Sequence, residues 1–215
     1  MKKLIYVSMA LVLILTAVNG IGEASLSDNL VLVPEASLVE KTGEISGDLI
    51  LDEGLGNGKV SGAFKLTPWL EAGVVVSEGT RSSELRFDPL VKAIIINEYN
   101  YGLDLAAGLR GEDLYITGAK TLDYGLRGHF GVGNGGFDGI FLGLTKVLNT
   151  NDIEITEEEE ENNNALSSLP PVKASIEFMD GRFNIGFRSN ITNELKAELS
   201  VLNLNRLKAG LSYSF

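Results

Sequence analysis

The chain has 215 residues, a formal charge of −11 and no cysteine, so disulfides, thiol nucleophiles, Cys-ligated metals and lipidated-cysteine anchors are excluded. The negative charge disfavours a broad attraction to nucleic acid or anionic headgroups, and no nucleic-acid partner is expected. Beyond Gly20 no run reaches the roughly 18 apolar residues of a spanning helix, so any membrane crossing has to be made of strands.

Residues 1–24 read as a signal peptide. Lys2 and Lys3 form a basic start, 4–18 an apolar stretch, and Gly22 and Ala24 a small-x-small cleavage site with Gly20 as its rival. An uncleaved anchor is the competing reading. Residues 25–215 are expected to form a single domain. Its first part, 25–41, is mixed, with Pro34 interrupting an apolar run, and predicts an irregular lead-in.

After the lead-in the dominant signal has period two. Strands are predicted near 43–52, 58–67, 69–77, 84–96, 101–109, 112–120, 124–132 and 137–147. In the seventh, Tyr124, Leu126, Gly128, Phe130 and Val132 oppose Arg127 and His129; in the fifth, Tyr101, Leu103, Leu105, Ala107 and Leu109 oppose Asp104. Four further strands close the chain. Val172, Ala174, Ile176 and Phe178 alternate with polar residues, and Asp180-Gly181 signals a hairpin into Phe183, Ile185 and Phe187. Leu195, Ala197, Leu199 and Val201 oppose Lys196 and Glu198, and Leu207, Ala209, Leu211, Tyr213 and Phe215 oppose Arg206, Lys208 and Ser212. About twelve strands with short turns and no helix-period segment predict an all-β, antiparallel up-and-down barrel.

Such alternation fits two barrels. A soluble one, binding a lipid or small ligand, would turn its apolar face inward; a transmembrane one turns it to lipid and keeps the polar face in its lumen. The export signal, the full charges on the polar face and the terminal aromatic strand favour the transmembrane barrel. The expected lumen-lining residues are Arg86, Asp88, Lys92, Asp104, Arg127, His129, Lys146, Glu177, Arg188, Glu194, Lys196 and Glu198, with opposite signs pairing across a crowded interior. Outer-membrane lipid is one expected partner. The barrel assembly machinery, engaging the strand that ends at Phe215, is another.

The segment 148–171 carries Asp152, Glu154, five glutamates at 157–161 and Pro170-Pro171, and predicts a solvated acidic loop. It lacks the spacing and central Gly of an EF-hand. With both termini periplasmic it would follow the eighth strand, on the periplasmic side. Gly131, Gly133 and Gly136 match G-x-G-x-x-G, but a strand follows where a dinucleotide fingerprint needs a helix, so they read as a hairpin turn. His129 is the only histidine and no nucleophile, base and acid cluster can be read beside it, so no enzyme, cofactor or metal is expected. An outer-membrane hydrolase or acyltransferase is the least favoured reading. Asn190-Ile191-Thr192 reads as a turn, and Trp69, Tyr99, Tyr101, Tyr124 and Tyr213 as interfacial aromatics.

Several segments together resemble the YjbH-like group of outer-membrane β-barrels. They are Asn29-Leu30-Val31-Leu32-Val33-Pro34 with 40–47, the stretches 92–97 and 103–108, Gly128-His129-Phe130-Gly131-Val132-Gly133 running into 139–146, and the closing hairpin 177–188 with its Asp180-Gly181 and Asn184-Ile185-Gly186. The resemblance implies an envelope role in exopolysaccharide secretion, with polysaccharide as a partner. It carries over no catalytic residues. The acidic insertion at 148–171 separates segments that the group joins more directly.

Overall fold

The computed structural model describes residues 32–52, 55–78, 85–148 and 170–215. The expected signal peptide at 1–24 and most of the acidic loop, 149–169, lie outside the described residues. Twelve strands follow in order: β1 Gly43–Asp52, β2 Leu55–Thr67, β3 Leu70–Glu78, β4 Leu85–Ile96, β5 Asp104–Arg110, β6 Asp113–Thr121, β7 Leu126–Gly133, β8 Gly139–Leu148, β9 Val172–Met179, β10 Arg182–Asn190, β11 Leu195–Leu202 and β12 Arg206–Ser214. Each pairs antiparallel with its chain neighbours, and β12 closes on β1 from Glu44 opposite Ser214 to Leu51 opposite Leu207. Closure leaves no unpaired sheet edge, which is the condition for crossing lipid with strands.

The pleat sorts the side chains by parity. Phe187, Leu199 and Ala209 are cross-strand neighbours on the outside, while Arg188, Glu198, Ser200 and Lys208 are turned inward. The same holds around the barrel. Phe64, Val74, Phe87, Ile116, Phe130, Leu142, Ile176, Leu199 and Leu211 are exposed outside, whereas Glu44, Glu71, Lys92, Thr117, His129, Glu177 and Lys208 are buried inside. Apolar outside and charged inside is the transmembrane arrangement and the reverse of a soluble ligand-binding barrel. The face expected of the last strand is the observed one, with Leu207 and Leu211 exposed and Lys208 and Ser212 buried.

Two predicted strand starts are corrected. Tyr101 and Leu103 precede β5, because residues Glu98–Tyr101 form a single helical turn, α1, absent from the expected elements. Asn97 caps it by accepting from the Asn100 N–H at 3.0 Å, and Gly102, at φ 71°, ends it in the left-handed conformation. Tyr124 lies in the turn before β7 at φ 62°. The predicted hairpin at Asp180-Gly181 has φ of 51° and 70° at its two central residues, the positive pair that a two-residue turn matched to strand twist requires.

All even-numbered strands end at the barrel end that holds the C-terminus, where the Thr42 N–H donates to the Phe215 carbonyl at 2.9 Å. The connection after β8 leaves from that same C-terminal end, as the strand count predicted. Trp69, Tyr99, Tyr101 and Tyr124 are exposed at connections on this end, and Tyr213 stacks on Phe215 there with ring centroids 6.3 Å apart.

Candidate functional site in the lumen

The lumen is occupied by the chain's own lead-in. Residues 32–41 make no strand of their own, and yet Val33, Pro34, Glu35, Ala36 and Val39 are buried. They enter near the barrel end opposite the C-terminus, where the Leu32 N–H lies 2.9 Å from each Glu177 carboxylate oxygen and the Val33 N–H lies 3.0 Å from one of them. Below this the Thr117 hydroxyl donates to the Pro34 carbonyl at 2.8 Å, and the Lys173 ammonium pairs with Glu35. At the C-terminal end the Val39 N–H donates to Glu71 at 3.0 Å, Lys196 pairs with Glu40 at 3.2 Å, and Lys41 with Glu194 at 3.4 Å. The segment therefore runs the length of the lumen before turning into β1.

Its sequence is built for two walls. Val33, Ala36 and Val39 recur at intervals of three, and all three are buried. Val33 packs with Tyr115, Phe137, Phe141 and Met179, and Ala36 packs with Ala106, Ala119 and Ile94, all on the wall formed by β4 to β9 and the turn before β8. Gly131 keeps that wall thin, since a Cβ there would meet the Phe141 ring. Glu35 and Glu40 face the other wall. Burying a Val side chain contributes about 1.5–3 kcal/mol, and each hydrogen bond to a charged group about 1.5–3 kcal/mol, so the seated position is the favoured one at rest.

The second wall is a charged belt. Lys173, Arg188, Glu198, Gly210, Asp48 and Lys59 are successive cross-strand partners from β9 through β12 to β1 and β2. Arg188 pairs with Glu198 at 2.9 Å, Lys208 with Glu198 at 2.7 Å and with Asp48 at 3.8 Å, and Lys59 with Asp48 at 3.0 Å. Lys196 also reaches Glu44, at 3.4 Å. A hydrated polar lumen tolerates such a network because opposite signs on adjacent strands offset the cost of taking each charge from bulk water.

The predicted lumen residues fall into distinct places. Lys92 pairs with Glu71 at 3.2 Å in the interior, and His129 is buried with its Nε2 3.1 Å from the Thr145 hydroxyl. Glu177, Arg188, Lys196 and Glu198 line the lumen as described above. Asp104 and Arg127 form a rim cluster with Glu98 of α1, where Arg127 reaches Glu98 at 2.5 Å and also pairs with Asp104. The Thr121 N–H and the Arg127 guanidinium donate to the Glu98 carboxylate and hold its pKa below the ordinary value. Arg86 and Asp88 pair at 2.7 Å beside Gly111 and Glu112, with Arg86 well exposed.

Two placements are corrections. Lys146 is on the outer face, opposite Leu126 and Ala174 and flanked inward by buried Thr145; β8 is apolar on both faces, which left its parity unreadable. Glu194 lies before β11 begins and pairs with Lys41 at the rim. The glycine motif is also redistributed: Gly131 and Gly133 are inside β7, and only Gly136 is in the turn. Sequence reasoning missed Glu35, Val33 and Val39 as interior residues, and the exposed Glu40 as a partner of Lys196. The signal for them was the apolar spacing of three with interleaved carboxylates in a segment without strand alternation.

No protein-family model matches the sequence, and no curated protein does. Among solved structures the fold is similar to the KdgM porin, with a TM-score of 0.51, 11% identity and coverage of 80% of this chain and 99% of that one. It is similar to the KdgM porin in complex with disordered oligogalacturonate, at TM-score 0.50, 12% identity, 80% of this chain and 99% of that one. The Acinetobacter baumannii outer membrane protein Omp33 matches at TM-score 0.44, 13% identity, 80% and 97% coverage. At these identities the likeness is one of fold. The protein is a closed, twelve-strand antiparallel transmembrane β-barrel whose fold is similar to that of the KdgM porin.

Proposed function

We propose that this protein is a non-enzymatic barrel of the bacterial outer membrane that passes a saccharide solute and is held closed at rest by residues 32–41. The observation that carries the reading is that segment, seated along the lumen by Glu177, Lys173, Glu71 and Lys196. Its polar anchors are hydrogen bonds and ion pairs that water can replace, and it belongs to none of the twelve strands, so it can leave the lumen without opening the barrel wall. The expected signal at 1–24 delivers the chain for export, and the aromatic end of β12 at Phe215 is suited to the assembly machinery. The C-terminal end is then periplasmic. A saccharide as solute draws on the exopolysaccharide role implied by the YjbH-like resemblance and on the oligogalacturonate named for one barrel of similar fold.

Planar-bilayer recording tests this. The native chain is expected to show little or no conductance, and a variant lacking residues 32–40 a stable, stepwise one. A native chain with large porin-like conductance, or a folded deletion variant that conducts no better than native, would overturn the reading.

A further inference from the structure

The contacts of the lead-in have a polarity along the barrel axis. Leu32 and Val33 donate to Glu177, two residues before β9 ends at Met179, and β9, like every odd-numbered strand, ends opposite the C-terminus. Pro34 accepts from Thr117 at the middle of β6. Val39 donates to Glu71 just inside the start of β3, Lys41 pairs with Glu194 just before β11, and Thr42 donates to Phe215, all at the C-terminal end. Residues 32–41 and β1 are therefore the two arms of a hairpin bent at the C-terminal end. Ten extended residues reach about 33 Å, enough to cross an apolar band about 25 Å tall. Twelve strands alone bring the start of β1 and the end of β12 to one side; the lead-in makes the number of crossings odd and puts Leu32 on the side opposite Phe215. The mouth at Leu32 is flanked by short turns, Arg110 to Asp113, Met179 to Arg182 and Leu202 to Arg206, and Leu32 is only partly buried.

We propose that the barrel presents the Leu32 end of its lead-in at the cell surface, so that the lumen is the conduit by which the chain carries its own N-terminal side across the outer membrane. A peptide joined ahead of Leu32 is then displayed outside the cell, while residues 40–42 stay at the periplasmic mouth. This goes beyond the channel reading and takes from it only the periplasmic placement of the C-terminal end. The direction is held by anchors that differ at the two ends. Glu177, steadied by the Asn184 amide at 3.2 Å, accepts backbone N–H groups at the outer mouth, whereas Lys196 and Glu194 pair with the side chains of Glu40 and Lys41 at the inner one. A segment threaded the other way would lose both sets.

The test uses the full chain in intact cells, with one cysteine introduced at a time into the cysteine-free sequence, folding verified by heat-modifiable mobility, and a membrane-impermeant maleimide as probe. Leu204→Cys, in the turn after β11, and Tyr124→Cys, in the turn before β7, report the two barrel ends. Leu32→Cys is expected to label in intact cells as Leu204→Cys does, and Glu40→Cys and Tyr124→Cys at least tenfold more slowly until the outer membrane is permeabilised. Because Leu32 is partly buried, a short epitope joined directly ahead of it gives a second readout: its antibody is expected to bind intact cells. Leu32→Cys or the epitope becoming accessible only together with Tyr124→Cys would overturn the proposal. Labelling of Tyr124→Cys but not Leu204→Cys in intact cells would overturn it through the orientation of the barrel. The channel reading fails separately, when the variant lacking residues 32–40 folds and does not conduct, and that result leaves the labelling pattern standing.

Discussion

Glu177→Gln is the substitution that isolates the hold on the lead-in. The carboxylate takes the Leu32 N–H on both oxygens at 2.9 Å and the Val33 N–H at 3.0 Å, and it also accepts from the Asn184 amide at 3.2 Å. Glutamine keeps one acceptor oxygen and the side chain's length but loses the charge and one acceptor. A hydrogen bond to a charged group contributes about 1.5–3 kcal/mol, so losing one such bond raises the released population about ten- to a hundredfold, at roughly 1.4 kcal/mol per factor of ten. The chain has no cysteine, so Val33→Cys provides a single thiol that is fully buried when the segment is seated. Its rate of reaction with a charged methanethiosulfonate reports the released fraction, and Glu177→Gln should raise that rate about ten- to a hundredfold with unchanged heat-modifiable mobility. An unaltered rate would refute the claim that Glu177 anchors the segment.

Leu199→Arg, at mid-strand on the lipid face of β11, should cost about 2–4 kcal/mol and lower the yield of heat-modifiable barrel, whereas Leu204→Arg in the exposed turn should cost about 1 kcal/mol or less. Leu204 has φ 58°, a left-handed conformation costing a residue with a Cβ about 1–2 kcal/mol, so Leu204→Gly should raise the denaturation midpoint. The Glu98 pKa is depressed in the folded state, so its stabilising effect is present above the ordinary carboxylate pKa and is lost as pH falls through the lower folded value. The α1 connection should accordingly become protease-sensitive on acidification, and Glu98→Gln should make it sensitive at neutral pH.

Strand alternation was legible because the sheet has one wet face and one apolar face, and parity then assigns every residue of a strand at once. This is why Lys196, Glu198 and Lys208 were readable as interior from spacing alone. Parity failed at Lys146, where Phe141 is packed inward against Val33 and Tyr115, so the inner face of β8 is apolar too. It failed again at Tyr101 and Tyr124, where turn residues continue a strand's alternation by coincidence and only the Asn97 cap with Gly102 at the first, and Gly125 at the second, show the break. The lead-in was invisible for a different reason. Residues 32–41 have no period-two signal, and their burial depends on walls contributed by strands distant in the chain, as the 144 positions between Val33 and Glu177 illustrate.

The threading of residues 32–41 is tested most directly by bridging it to the wall. Glu35→Cys/Lys173→Cys in the otherwise cysteine-free chain places two thiols where an ion pair now joins the lead-in to the wall. Treated in membranes with a short bis-methanethiosulfonate, the variant should yield one reductant-sensitive species in which the peptides containing positions 35 and 173 are joined, and its conductance should stay closed until reductant is added. Separate modification of the two thiols with no joined peptide would contradict the account.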